Sequence, residues 1–110
     1  MNDEEKTKEA KKYSDKGILL CYISEYDLAI EAFKKAIELK PDQADTYNNL
    51  GIVYKNKGEY DNAIEAFKKS IELNPNQAKT YKNLGNAYYY KNDEDKAIEA
   101  YNKAIELKPK

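Results

Sequence analysis

The chain has 110 residues, of which 41% are hydrophobic and 35% charged, and its 19 Lys and Arg balance 20 Asp and Glu to a formal net charge of −1. This apolar content excludes a disordered chain, and the balanced charge lacks the basic excess that is typical of nucleic-acid-binding proteins. No apolar run approaches the roughly 20 residues that a membrane-spanning helix needs, and the first twelve residues lack the apolar core of a secretory signal.

Residues that commonly carry chemistry are scarce. The chain has no histidine, so it lacks the commonest general base and the commonest metal ligand, and it has one cysteine, Cys21. The acidic run Asp93, Glu94 and Asp95 lacks the ligand spacing of a calcium loop and is interpreted as the start of a helix. We therefore predict no catalytic residues, no cofactor and no metal. A lone cysteine cannot form an internal disulfide and suits a reducing compartment, so a cytoplasmic location is expected.

A seven-residue phrase recurs along the chain with a period of 34 residues. KAIELKP stands at residues 35–41 and again at 103–109, and KSIELNP stands between them at 69–75. Several single residues keep the same step, including Gly17, Gly51 and Gly85. A fixed period of about 20–50 residues is the signature of a stacked-repeat protein. The predicted repeats are 10–43, 44–77 and 78–110 in one domain, and residues 1–9 either extend the first helix or form a frayed tail.

The middle repeat shows what each repeat is expected to form. Its two halves carry apolar residues at helical spacing, namely Tyr47, Leu50, Gly51 and Tyr54, then Ala63, Ile64, Phe67, Ile71 and Leu73. Gly58 lies between the halves and can take the left-handed conformation that ends a helix. Pro75 ends the unit because proline removes a backbone donor and collides with the preceding turn. Each repeat is therefore predicted to be a helix, a tight turn and a second helix.

Two local expectations follow from this pattern. Asp42 and Asn76 come directly after prolines and are expected to be the N-caps of the next helices. Gly51 lies inside a predicted helix, where glycine costs about 1 kcal/mol relative to alanine. We expect close packing of the paired helices at Gly51, Gly17 and Gly85 to offset that cost.

The three repeats resemble the tetratricopeptide repeat, whose pattern is Trp-x-x-Leu-Gly-x-x-Tyr, then Ala-x-x-x-Phe, then Pro, over 34 residues. The matching positions in the three units are Tyr13, Lys16, Gly17, Leu20, Ala29, Phe33 and Pro41, then Tyr47, Leu50, Gly51, Tyr54, Ala63, Phe67 and Pro75, then Tyr81, Leu84, Gly85, Tyr88, Ala97, Tyr101 and Pro109. Lys16 departs from the usual leucine. The resemblance implies an all-α fold, a right-handed α-solenoid of three helix-turn-helix units with six helices.

The resemblance also implies that the first helix of each unit lines a concave groove, which holds a peptide or partner segment. The predicted peptide-binding residues are Asn48, Asn49, Ile52, Lys79, Lys82, Asn83, Asn86, Tyr89 and Tyr90. Lysines suit a carboxylate, and asparagine amides suit the N–H and C=O groups of an extended peptide. We predict a non-catalytic protein-interaction scaffold that binds an extended or short helical segment, acidic or carboxylate-bearing. The alternative is that these are ordinary solvent-facing residues.

Some family members bind the acidic C-terminal tails of chaperones through a carboxylate clamp. Asn49 and Lys79 match the clamp, but Ser14, Ile18 and Asn83 stand at its other three places. Lys82 and Asn86 resemble the clamp's first-unit pair. Because the clamp is incomplete, chaperone-tail binding is not the main prediction.

Self-association is the competing function. The last predicted helix has no further helix after it in this sequence, and terminal units of stacked repeats need a polar cap. We expect its outer face to expose Ala97, Tyr101, Ala104 and Ile105. A homo-oligomer that stacks end to end or dimerises through this helix is therefore the alternative function.

Overall fold

The computed structural model describes residues 1–108, and these form six helices and no strand. The helices are α1 (Asp3–Tyr22), α2 (Tyr26–Leu39), α3 (Ala44–Asn56), α4 (Tyr60–Leu73), α5 (Ala78–Tyr90) and α6 (Glu94–Leu107). We call the pair α1 and α2 unit 1, the pair α3 and α4 unit 2, and the pair α5 and α6 unit 3. The predicted all-α fold of three helix-turn-helix units is confirmed. None of these helices is long and apolar enough to cross a membrane.

The units stack in chain order into an elongated body of 44 × 30 × 21 Å. Within each unit the two helices pack on each other, and neighbouring units meet where α2 packs on α3 and α4 packs on α5. The first helices also contact one another, α1 with α3 and α3 with α5. Each unit therefore contacts only its neighbours, which is the arrangement of a solenoid.

The recurring glycines lie where an aromatic ring from the second helix meets the first helix. A Cβ atom added at Gly51 would lie 2.5 Å from the ring of Phe67, and one at Gly85 would lie 2.6 Å from the ring of Tyr101. At Gly17 the same distance to Phe33 is 2.7 Å. The expected close packing is confirmed, because a side chain at these positions would occupy the space of the ring.

The turns confirm one local prediction and correct another. Gly58 ends α3 with a φ of +85°, as predicted. Asp42 and Asn76 are not N-caps, because the N-cap residues of α3 and α5 are Gln43 and Gln77, and neither makes a side-chain capping bond. Pro41 and Pro75 each form a turn with the residue that follows them, so Asp42 and Asn76 belong to the turn. The N-cap is therefore one residue further along the chain than predicted.

The two ends of the chain differ from the interior. Helix α1 begins at Asp3, and the side chain of Asn2 accepts a hydrogen bond from the Glu5 N–H at 2.8 Å, so residues 3–9 are helical. At the other end, the expectation that α6 exposes Ala97 and Ala104 is wrong.

Ala97 and Ala104 are buried because they lie on the face of α6 that packs within unit 3. Ala97 is 2% exposed and Ala104 is 7% exposed, because the face of α6 that carries these small residues packs on α5. Tyr101 is half-buried over Gly85. The apolar residues that α6 does expose are Ile98 and Ile105. Pro109 and Lys110, which the sequence analysis placed in the last repeat, lie outside the described residues.

Candidate functional site

The candidate site is the surface that α1, α3 and α5 form together, which we call the inner face. Its residues are Lys11, Ser14, Asp15, Ile18, Cys21 and Tyr22 on α1, Asp45, Asn48, Asn49, Ile52, Lys55 and Asn56 on α3, and Lys79, Lys82, Asn83, Asn86, Tyr89 and Tyr90 on α5. Several of these side chains contact one another between helices, as expected for helices that lie side by side. All nine predicted peptide-binding residues belong to this face.

A hydrogen-bonded amide pair, of which Asn48 is the buried member, joins the middle of α3 to α5. The Asn83 side-chain N–H donates to Asn48 Oδ1 at 3.1 Å, and Asn48 is only 3% exposed. Burial of a polar group without a partner costs free energy, so this bond is needed where it lies. The hydrogen bond from Asn83 to the buried Asn48 therefore fixes the orientation of the Asn83 side chain. Asn49 and Asn83 are themselves half-exposed at the surface.

Two of the four lysines on the inner face are neutralised by acidic neighbours. Lys79 Nζ lies 3.1 Å from Asp45 Oδ1, and the Gln77 amide donates to the same oxygen at 3.2 Å. The hydrogen bond from Lys79 is the largest cause that lowers the pKa of Asp45 below its usual value. Lys11 Nζ lies 2.9 Å from Asp15 Oδ2 on the same helix.

The remaining two lysines, Lys55 and Lys82, have no acidic partner within salt-bridge distance among residues 1–108. The four lysines of the inner face outnumber its two acidic residues, Asp15 and Asp45, and the excess positive charge is carried by these two side chains. By the repeat period Lys82 is equivalent to Asn48, which precedes Lys55 by seven residues. With a rise of 1.5 Å per residue, the two lysines are about 10 Å apart along the helix direction.

An apolar pocket of about 460 Å³ lies at the unit 1 end of the inner face. It is lined by Ile18, Cys21, Tyr22, Ser24, Tyr26, Phe33, Asn49, Ile52, Val53 and Asn56. Tyr22 is 84% exposed, and Ile18 is 37% exposed. The peptide-binding residues predicted from the sequence did not include Ile18, Cys21 and Tyr22. The repeat period was a signal for Ile18, because it stands 34 residues before the predicted Ile52.

The unit 3 end of the inner face is aromatic. Tyr90 stacks on Tyr60 with ring centroids 5.7 Å apart, and Tyr89 meets Tyr90 edge to face at 5.7 Å. Both Tyr89 and Tyr90 are 57% exposed. Asn86 Oδ1 accepts a hydrogen bond from the Tyr101 hydroxyl, so its amide oxygen is already used within unit 3.

Other surfaces of the described chain are less suited to hold a ligand. Pockets of about 520 and 670 Å³ lie between the paired helices of units 2 and 3, and several of their lining residues are lysines and glutamates. Each of these pockets runs mainly along a single unit, whereas the inner face spans all three. Within residues 1–108, no three His, Cys, Asp or Glu side chains form a group that could hold a metal ion.

Comparison with known proteins agrees with this architecture. A family model described as Tetratricopeptide repeat matches residues 42–110, and a second described as TPR repeat matches residues 17–58. Comparison with curated protein sequences gives no match. The crystal structure of MamA is 38% identical with a TM-score of 0.87, over 93% of this chain and 59% of that chain. The chain thus spans 55–59% of the length of three of the MamA structures that it matches.

Two solved domains of another protein share the fold at low identity. The second TPR of Spaghetti (RPAP3), bound to the HSP90 peptide SRMEEVD, is 20% identical with a TM-score of 0.91, over 96% of this chain and 97% of that chain. The first TPR of the same protein, bound to the same peptide, is 22% identical with a TM-score of 0.90, over 94% of this chain and 82% of that chain. Because the first family model covers more than half of the chain and the six helices form three stacked pairs, the chain belongs to the tetratricopeptide repeat family.

Proposed function

We propose that this chain holds a segment of a partner protein along its inner face and has no chemistry of its own. Tetratricopeptide repeat proteins are generally non-catalytic interaction scaffolds. The inner face supports this role because it joins one apolar pocket, two unpaired lysines and half-exposed asparagine amides on a single surface. The solved domains that hold an HSP90 peptide share too little sequence with this chain to identify its ligand.

The main support for the proposal is that acidic neighbours pair with Lys11 and Lys79 on the inner face but not with Lys55 and Lys82. Lys79, one of the predicted peptide-binding residues, is paired with Asp45. Lys55 and Lys82 are therefore the groups that attract a carboxylate, by charge-assisted hydrogen bonds. The two lysines also lie on different helices, whose axes are about 8–10 Å apart, so the overall separation is about 14 Å. An extended chain advances about 3.3 Å per residue, so acidic groups about four residues apart would reach both lysines.

The apolar pocket adds a second requirement on the partner. Ile52 lies one helical turn before Lys55 on α3, so the pocket and the first lysine are adjacent. A segment with one large apolar side chain, followed within a few residues by acidic side chains or a free C-terminus, fits both features. Asn49 and Asn83 are half-exposed, and this supports a role for their amides in bonding the backbone N–H and C=O groups of the segment.

The experiment is a screen of a decapeptide array that varies the apolar residue, the number of acidic residues and the C-terminal carboxylate or amide. We expect the best peptides to combine an apolar residue with acidic groups and to bind more weakly as salt rises, because Lys82 is exposed and Lys55 is half-exposed. The variant Lys55→Ala/Lys82→Ala should lose at least about tenfold in affinity for them, which corresponds to about 1.4 kcal/mol.

A matched control removes two lysines from the opposite side of the stack. Lys34 and Lys35 are exposed on α2, so Lys34→Ala/Lys35→Ala makes the same change in net charge away from the inner face. The proposal is wrong if both double variants weaken binding equally, since that would show a general charge effect. It is also wrong if the array selects basic peptides.

A further inference from the structure

A pocket between the paired helices recurs in units 2 and 3. Every residue that lines the unit 2 pocket has its equivalent in the unit 3 pocket, 34 residues later. No residue of unit 1 or unit 3 lines the unit 2 pocket, so the pocket belongs to the helix pair and does not depend on which units precede or follow it. We call the unit 3 pocket, of about 670 Å³, the outer pocket; its apolar residues are Tyr81, Leu84, Tyr88 and Ala100, and Lys68 and Lys96 lie at one end.

The outer pocket faces away from the inner face. Each of its three α5 residues follows an inner-face residue of α5 by two positions, which is about 200° around a helix. The inner face crosses the three first helices, whereas the outer pocket runs along α5 and α6. The two surfaces therefore lie on opposite sides of α5 and suit ligands of different shape.

Unit 3 differs from unit 2 at the lysine end of this pocket. Lys96 Nζ lies 5.7 Å from the centroid of the Tyr88 ring, and Lys68 Nζ, from α4, lies 5.9 Å from the same centroid. In unit 2 the equivalent of Lys96 is Asn62, whose amide donates to Glu59 Oε1 at 2.7 Å. Attraction between an ammonium group and an aromatic ring keeps both lysine charges at this end of the outer pocket.

The charges around the outer pocket favour an anion. Three lysines and two glutamates line it, whereas two of each line the unit 2 pocket. Lys103 pairs with Glu106 at 3.5 Å, but Lys68 and Lys96 have no acidic partner within salt-bridge distance among residues 1–108. Glu99 offsets only one of these two charges. Two like charges beside one ring repel each other, and a carboxylate bound between them removes that repulsion.

The shape of the outer pocket suits a helix. Its α6 residues run from Lys96 to Glu106, which is about 15 Å or nearly three helical turns. On α5, Tyr81, Leu84 and Tyr88 form a stripe at helical spacing along the same pocket. A helix that lies in this pocket can place its own apolar stripe against these residues, as amphipathic helices do in the apolar grooves of their partners.

We propose that the outer pocket binds a short amphipathic helix of a partner protein, with acidic residues at one end of the apolar stripe that pair with Lys68 and Lys96. The partner helix is acidic because the charges without an intramolecular partner at this end are positive. This site goes beyond the segment binding proposed for the inner face, since the two surfaces share no residue.

The probes are amidated helical peptides of about 14 residues, which exceed the length of the pocket. They share one apolar stripe and carry two glutamates, two glutamines or two lysines at one end of it. We expect the glutamate peptide to bind most tightly and the lysine peptide most weakly, measured by fluorescence anisotropy at low salt.

Two double variants test the role of the lysines. Lys68→Gln/Lys96→Gln should weaken binding of the glutamate peptide by at least about fivefold, since each exposed ion pair contributes up to a few-fold. Lys68→Glu/Lys96→Glu should reverse the order and prefer the lysine peptide, which a folding defect would not do. The matched control is Lys34→Gln/Lys35→Gln, which makes the same change of charge as the first variant on exposed residues of α2.

Three results would each overturn the proposal. Equal binding of the three peptides, or no binding of any of them at millimolar concentration, would show that the lysines select no acidic helix. A loss in Lys55→Gln/Lys82→Gln as large as that in Lys68→Gln/Lys96→Gln would place the helix on the inner face and leave the proposed function intact. An equal loss in the control variant would indicate a general charge effect.

Discussion

Replacement of Gly51 by alanine tests whether an aromatic ring is the reason for glycine inside a helix. The new Cβ would lie 2.5 Å from Phe67, whereas carbon atoms in contact are normally about 3.5–4.0 Å apart. The ring would have to move by about 1 Å. Phe67 is 0% exposed and packs against Ala63 and Leu84, so it has no open space to enter.

The expected magnitude is the difference between two opposing effects. Alanine in place of a helical glycine stabilises by about 1 kcal/mol. Overpacking of a tight core costs about 1–3 kcal/mol, and the absence of free space around Phe67 places this site at the upper end. Gly51→Ala should therefore lower the free energy of unfolding by about 2 kcal/mol, taking roughly 3 kcal/mol for the clash and 1 kcal/mol for the helix.

The assay is urea denaturation of a double-mutant cycle with Phe67→Leu. The shorter leucine removes the ring edge, so Gly51→Ala in that background should be neutral or stabilising by up to about 1 kcal/mol. Gly85→Ala is a second comparison, because Tyr101 is only half-buried and can move toward solvent. Its cost should be smaller than that of Gly51→Ala.

Either of two results would contradict the ring contact as the reason for glycine. One is that Gly51→Ala raises stability in the wild-type background, as alanine does at an uncrowded helix position. The other is a coupling between Gly51→Ala and Phe67→Leu below about 0.5 kcal/mol, which is the scatter expected of independent sites. In both cases the ring contact would not explain the glycine.

Three further changes test other parts of the structure. Gly58→Ala should destabilise by about 1 kcal/mol in urea denaturation although nothing lies near its Cβ position, because its φ of +85° disfavours a side chain. Asn83→Ala should cost about 1–2 kcal/mol by leaving buried Asn48 without its partner, and a second change of Asn48 to alanine should cost little more. Asp45→Asn should reduce stability at neutral pH. Because Lys79 lowers the pKa of Asp45, this difference from wild type should shrink as the pH falls below about 4, and a constant difference in pH-dependent urea melts would contradict it.

Much of the fold could be predicted from the sequence because each unit is specified locally. Spacings of three and four residues predict the helices, and Gly58 and Pro75 predict their ends. The N-caps could not be predicted from Asp42 and Asn76, because the length of the turn after each proline depends on how the next helix packs. The sequence also indicated which first-helix residues share one face, since helical period alone decides this.

The sequence by itself therefore determined the three units, their six helices and the close contact at each recurring glycine, since all of these depend on neighbours within one repeat. Only the tertiary structure decided which residues of each helix face are exposed and which charged residues have an ion-pair partner. It placed Asp45 against Lys79 and left Lys82 without an acidic partner within residues 1–108, and it buried Ala97 while exposing Ile98. The reason is that burial and ion pairing depend on groups brought together from different helices, and a periodic sequence assigns equivalent residues the same pattern whether or not a neighbouring unit covers them.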